Sequence, residues 1–185
     1  MPDLALGLAS LQRELAAGRK LPSVDKWNPA HCGEIDIRIA RDGTWFHQGT
    51  PVGRRELVRL FSTILRRDRD GYYLVTPAEK MRIEVEDAPF LAVLLEVRGR
   101  GREQQLMFTT NVGDEVVADA EHPIRVENAA DTGEPAPYVH VRAGLDARIS
   151  RNVFYQLADI AVAGDRDGEL GVWSAGVFFP IGMVP

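Results

Sequence analysis

The residues best suited to chemistry in this chain are arginines. All but three of its 22 basic residues are arginine, the exceptions being Lys20, Lys26 and Lys80. Arginine presents a planar fork of donors that grips a carboxylate or phosphate with two parallel hydrogen bonds, which a lysine cannot do. Arg55 and Arg151 each fall in the first turn of a predicted amphipathic helix, Arg55 with Arg54 beside it. A helix N-terminus carries partial positive charge and disfavours a cation there by about 0.3–1 kcal/mol. Each arginine therefore calls for a negative partner. A protein carboxylate can supply it, with Asp36, Glu79 and Asp146 as candidates, and so can a bound anion.

Other residue types carry weaker signals. Cys32 follows His31, which suggests a thiol nucleophile. Neighbours on an extended chain point to opposite sides, so its base would have to be His47, His122 or His140. The plainer reading is a small buried cysteine. The four histidines and one cysteine show no spacing typical of a metal site, so no metal or cofactor is expected. No glycine-rich phosphate loop and no serine elbow occur, and no catalytic residue is assigned. Thr76 before Pro77, and Thr109-Thr110-Asn111, fall at strand ends, where polar side chains can face a cleft or simply cap a turn. Trp45, Phe46, Tyr72 and Tyr73 read as packing.

These residues need elements to position them. Leu4, Leu8, Leu11 and Leu15 predict an amphipathic helix over residues 3–19. A loop follows over 20–34. Ile35, Ile37 and Ile39 alternate with polar residues, a half-buried strand that puts Asp36 and Arg38 on its other face. Asp42-Gly43 predicts a hairpin into a strand at 44–47. A turn at 49–53 leads to a helix over 54–67, ended by Asp70-Gly71, and then a strand at 72–76. Strands are expected at 82–86, 91–97, 105–110, 116–117, 124–126 and 138–141. A last helix over 150–162, with Ser150 as its N-cap, precedes one closing strand over 170–181.

The chain also repeats itself. Asp68-Arg69-Asp70-Gly71 follows the first of these two helices, and Asp165-Arg166-Asp167-Gly168 follows the second. Leu57, Val58, Phe61 and Ile64 match Val153, Phe154, Leu157 and Ile160 in step. The implied unit is strand, strand, helix, Asp-Arg-Asp-Gly, strand, present twice. The expected fold is α+β, with two subdomains meeting near Pro77, residues 1–77 and 78–185.

Composition sets the outer limits. The 185 residues are 45% hydrophobic and 26% charged, with a net charge of −5. These are values of a soluble globular protein and exclude disorder, a coiled-coil rod, collagen and a disulfide scaffold. One cysteine suits a reducing cytoplasm. The N-terminal residues lack the pattern of an export signal, and the longest apolar run, 90–95, is far short of a bilayer. A net acidic chain is a poor generic binder of nucleic acid. The expected location is the cytoplasm, with no membrane span and the oligomeric state open.

The stretch Cys32-Gly33-Glu34-Ile35-Asp36-Ile37-Arg38-Ile39-Ala40-Arg41-Asp42-Gly43-Thr44-Trp45-Phe46 resembles the signature of a bacterial family, domain of unknown function 1285. So do Leu57-Val58-Arg59-Leu60-Phe61-Ser62, Leu74-Val75-Thr76-Pro77-Ala78-Glu79-Lys80, Asp87-Ala88-Pro89-Phe90 and Phe108-Thr109-Thr110-Asn111. The resemblance implies a two-part fold with internal duplication. It implies a C-terminal part that is a curved antiparallel sheet plus helix, superficially like a pleckstrin-homology domain. It also implies a cleft between the parts for a nucleotide-like ligand, and a signalling role. On that footing Asp36, Arg38, Thr76, Glu79 and Asn111 join Arg55 and Arg151 as ligand-binding candidates. The expected function is a regulatory module holding a small anionic ligand. The alternatives are a hydrolase acting on such a ligand and a protein-interaction module using an exposed sheet edge.

Overall fold

A computed structural model describes residues 21–129 and 133–183. The helix expected over residues 3–19 lies outside the described residues. Packing divides the chain into two units, Met1–Asp87 and Ala88–Pro185.

The first unit contains β1 (His31–Ile39), β2 (Trp45–His47), β3 (Thr50–Pro51), α1 (Arg55–Thr63), β4 (Leu65–Asp68), β5 (Gly71–Val75) and β6 (Glu79–Val85). They form one sheet in the order β3-β2-β1-β6-β5-β4. Two antiparallel meanders are thus joined by a parallel pairing of the first strand with the last. β6 is hydrogen-bonded into this sheet, which moves the boundary ten residues beyond the one expected at Pro77. Alternation on β1 buries Ile37 and Ile39, and Trp45 opposite Ile39 stacks on Phe61 of α1 at 6.1 Å. α1 therefore covers the apolar face. The Asp42-Gly43 hairpin forms as expected, with Gly43 N donating to Ala40 O (2.9 Å) and Thr44 N to Asp42 Oδ1 (2.9 Å).

The helix expected over 54–67 stops at Thr63. The Ser62 and Thr63 hydroxyls donate back to the carbonyls of Arg59 and Leu60 (2.7 Å each), and Ile64 N donates to Phe61 O (3.2 Å), tightening the last turn. Residues 65–68 then pair with β5 as a strand. Asp68-Arg69-Asp70-Gly71 is consequently a hairpin turn and not a helix end.

The second unit contains β7 (Phe90–Arg98), β8 (Gln105–Thr110), β9 (Glu115–Val117), β10 (Ile124–Asn128), β11 (Pro135–Arg142), β12 (Leu145–Ile149), α2 (Arg151–Asp159), β13 (Val162–Ala163), β14 (Glu169–Ser174) and β15 (Val177–Met183). Six of its strands run β9-β8-β7-β12-β11-β10, with β7 and β12 parallel. That is the order of the first sheet with every strand number raised by six. The protein is mostly sheet with two helices among the described residues, and its curled sheets recur in a two-domain arrangement.

Three expectations change here. The second sheet is not wholly antiparallel, because of the β7·β12 joint. α2 is followed by three strands where one was expected. The single strand over 170–181 is a hairpin, β14 and β15, turning at Ala175-Gly176. The repeated sheet is also out of phase with the repeat seen in sequence, since α1 lies between β3 and β4 whereas α2 follows β12. The local match survives nonetheless. Both helices have nine residues and both end on an isoleucine, Ile64 and Ile160, at φ −104°. Each is followed by a short strand and an Asp-Arg-Asp-Gly hairpin turn. In the second unit buried Ser174 ties the three-stranded sheet to the six-stranded one. Its hydroxyl donates to Ala118 O (2.6 Å) and accepts from Leu106 N (2.9 Å).

Candidate functional site

β1 and β6 do not stay in register. Glu34 pairs with Arg82 and Arg38 with Glu84, so four steps along β1 cover two along β6. β1 bows out over residues 35–37, and Asp36 O accepts instead from Gln48 N on the far side (3.0 Å). A bulge of this kind opens the ladder and re-aims the side chains around it.

The β4–β5 hairpin stands over this opening. Gly71 sits at φ +154° with the Arg82 guanidinium against it, and a Cβ there would press on that group. Arg82 Nη2 donates to Asp70 O (2.8 Å). The Tyr73 hydroxyl donates to Asp70 Oδ2 (2.6 Å), which holds the Asp70 carboxyl below the ordinary carboxylate range and pushes the Tyr73 phenol up. Behind the turn, Asp68 lies between Arg66 (Nε–Oδ1 2.9 Å, Nη2–Oδ2 3.0 Å) and Lys80 (2.5 Å). Arg66 also donates to the carbonyls of Val24 (3.1 Å) and Trp27 (2.7 Å). Burial pushes the Asp68 carboxyl up, but the Lys80 and Arg66 cations outweigh it and hold the group low.

Bulge and hairpin together line an open depression of about 540 Å³. Arg67, Arg69 and Arg82 line it together with Glu34, Asp36 and Glu84, and Tyr72 and the apolar Ile35, Ile37, Ile83 and Val85 complete the lining. The Arg67 guanidinium lies 4.3 Å over the Tyr72 ring. Among the described residues Arg67, Arg69, Glu34, Asp36 and Glu84 make no ion pair. Both signs of charge face one depression and do not neutralise each other.

Of the seven sequence candidates, this depression takes in Asp36 alone. Arg38 is bonded to the Glu86 carboxylate and lies 4.3 Å over Phe46. Thr76 is buried, and its Oγ1 accepts from Ala78 N (3.3 Å) and Glu79 N (3.1 Å), which makes it a turn cap. Glu79 opens β6 beyond that turn. Asn111, in the second unit, accepts from Leu91 N through Oδ1 (3.0 Å) and stands in for a strand partner. Arg55 and Arg151 are exposed and make no ion pair with a described residue. Among the described residues no carboxylate partners them, Asp146 being held by His140 (2.9 Å) and Arg125 (3.0 Å). The Ser150 hydroxyl makes no capping bond. Cys32 is exposed, against the expectation of burial. No group of three or more potential metal ligands converges among the described residues, and no described helix is long and apolar enough to cross a membrane.

The residues missed by sequence, Arg67, Arg69, Arg82, Glu34, Glu84 and Tyr72, had one marker. The Asp-Arg-Asp-Gly tetrapeptide marked a repeat, and its first copy is the turn that carries Arg69.

Fold and site together define a two-unit, sheet-dominated protein with a charged depression on its first sheet. Residues 22–88 match the model for the domain of unknown function (DUF1285), N-terminal domain, and residues 89–181 match its C-terminal domain. The chain belongs to the DUF1285 family. It is similar to the crystal structure of a DUF1285 family protein from Silicibacter pomeroyi DSS-3, at 57% identity and a TM-score of 0.85, over 89% of this chain and 88% of that one. It also resembles one from Shewanella baltica OS155, at 28% identity and a TM-score of 0.53, over 66% of this chain and 90% of that one. No curated protein matches.

Proposed function

We propose that this protein is a cytoplasmic ligand-binding module with a regulatory role, and that it holds a small anionic, nucleotide-like ligand in the depression of its first sheet. The observation that supports this is a single depression lined by charges of both signs, Arg67 and Arg69 with Glu34, Asp36 and Glu84, that make no ion pair among the described residues. A ligand complementary to them carries an anionic group and hydrogen-bond donors. Arg67 and Arg69 suit a phosphate, which guanidinium grips with two bonds at once. Glu34, Asp36 and Glu84 are acceptors suited to vicinal hydroxyls, the contact that acidic residues make with a ribose.

The test is a thermal-shift panel of nucleoside, nucleoside monophosphate, nucleoside diphosphate and inorganic phosphate at millimolar concentration. Binding to the native state must raise its stability. The nucleotides stabilise the protein, the nucleoside and phosphate alone do so less, and Arg69→Ala weakens the response while Arg55→Ala does not. A panel without any shift, or a shift untouched by the Arg67→Ala/Arg69→Ala double variant, overturns the reading.

A further inference from the structure

We infer that the second unit self-associates through the open edge of β7, two copies of this chain pairing antiparallel about Val97. The directions of the backbone groups locate that edge. Ala118 N donates to Leu106 O (2.9 Å) and Thr110 N to Asp114 O (2.8 Å), so the even residues of β8 bond towards β9. The odd residues, Gln105, Met107 and Thr109, must then bond to their β7 partners Arg98, Glu96 and Leu94. Leu95 and Val97 accordingly turn their N–H and C=O groups away from β8.

On that outer side β12 pairs with β7 at Phe90, Leu91 and Ala92 alone. Ser150 N donates to Ala92 O (3.0 Å), and the chain then turns into α2, which packs against β7 without adding a strand to it. Beyond Ala92 no described strand accompanies β7 on this side. The segment is also apolar for an open edge. Val93, Leu94 and Val97 are exposed, Leu94 by 63%.

The side chains select a second copy of the chain as occupant. Edges meant to stay single are blunted by a proline, a run of one charge or a lysine. This one alternates Glu96 and Arg98 on its outer face, already bonded to each other within the strand (2.7 Å). Backbone direction allows antiparallel pairings centred on 95, 96 or 97. Centre 95 sets Leu94 against Glu96, and centre 96 sets Glu96 against Glu96. Centre 97 sets Glu96 against Arg98 twice, in the closer, non-hydrogen-bonded position where side-chain pairs count most. It also makes Val97 its own partner, with its N–H and C=O both used. The charge pattern is self-complementary in that register and in neither of the others. The contact is small and belongs to the weak class of interfaces.

Sedimentation velocity on the full chain, from about 1 μM to about 1 mM, reads the association in the range of weak interfaces. The wild type shifts from monomer towards dimer as concentration rises. Val97→Pro removes an outward N–H that β8 does not use, so it abolishes the shift with little change in Tm. Glu96→Arg alone and Arg98→Glu alone each suppress the dimer, and the double swap restores it. A wild type that stays monomeric throughout overturns the proposal. So does a Val97→Pro protein that still dimerises, and a double swap that fails to recover the dimer overturns the register. Nucleotide binding at the first unit is read separately and does not enter these outcomes.

Discussion

Replacing Asp68 with asparagine tests whether the hairpin beside the depression is pinned by charge. The carboxylate takes Arg66 through two contacts, at 2.9 and 3.0 Å, and Lys80 at 2.5 Å. The three side chains are 14–24% exposed. A hydrogen bond to a charged group is worth about 1.5–3 kcal/mol when buried, and an exposed ion pair about 0–1 kcal/mol. Asparagine keeps one acceptor, and it leaves Arg66 and Lys80 facing each other without a shared anion. The expected loss is about 2 kcal/mol at neutral pH. If the first unit melts by itself, Tm falls by about 8–16 °C, and if the whole chain melts as one it falls by about 4–8 °C. The pH dependence follows from the directions of the shifts. Asp68 is held low, so its contribution is present above the unfolded carboxyl value of about 3.9 and is lost as pH falls through the folded value. Lys80 is pushed up, chiefly by its bond to Asp68, so its share is complete below about 10.4 and is lost as pH rises through the folded value. Urea melts of both proteins from pH 3 to pH 10 should show a gap that is widest in the middle and closes in acid. A gap under about 0.5 kcal/mol at pH 7, or one that persists unchanged to pH 3, would refute the reasoning.

Three further changes probe other features. Thr76→Val removes the hydroxyl that caps the turn into β6 and should cost about 1–2 kcal/mol by chemical denaturation, with nucleotide-induced stabilisation retained. Ala175→Asn should add about 0.5–1 kcal/mol, because Ala175 sits at φ +48° ahead of Gly176 and asparagine tolerates that conformation better. Gly171→Ala places a methyl group against the Phe178 ring and the Phe179 carbonyl and should cost about 2 kcal/mol or more, read as a lowered urea midpoint.

The elements legible in sequence were those with a purely local cause. β1 and its hairpin follow from alternating isoleucines and Asp42-Gly43. α1 was overextended because Leu65 continues the helical stripe that ends at Ile64, and only pairing with β5 makes it a strand residue. Three tight turns place Gln48, Ala143 and Ala175 in left-handed positions (φ 49°, 45° and 48°) where asparagine is the usual signal. The sequence shows the first only as a broader turn over 49–53, and the second and third leave no mark in it. β12 was missed with the second of these, and the β14–β15 hairpin was read as one strand with the third. The depression was hidden for a different reason. Arg69 and Asp36 are neighbours through the β1·β6 joint, a pairing between distant stretches that leaves no periodic trace.

That joint bears on how the chain is made. In each unit the first strand of the sheet waits for the last as its parallel neighbour, so neither sheet can be completed early. Contacts between such distant residues slow folding, since the intervening chain must close before they form. Synthesis from the N-terminus brings β6 out before β7 exists, so the first unit can close on the ribosome by itself. The second must hold β7 without its parallel neighbour until β12 is made, more than fifty residues later. During that interval β7 shows the nascent chain its whole apolar edge, Phe90 and Ala92 included, which makes it the stretch most in need of a chaperone's protection.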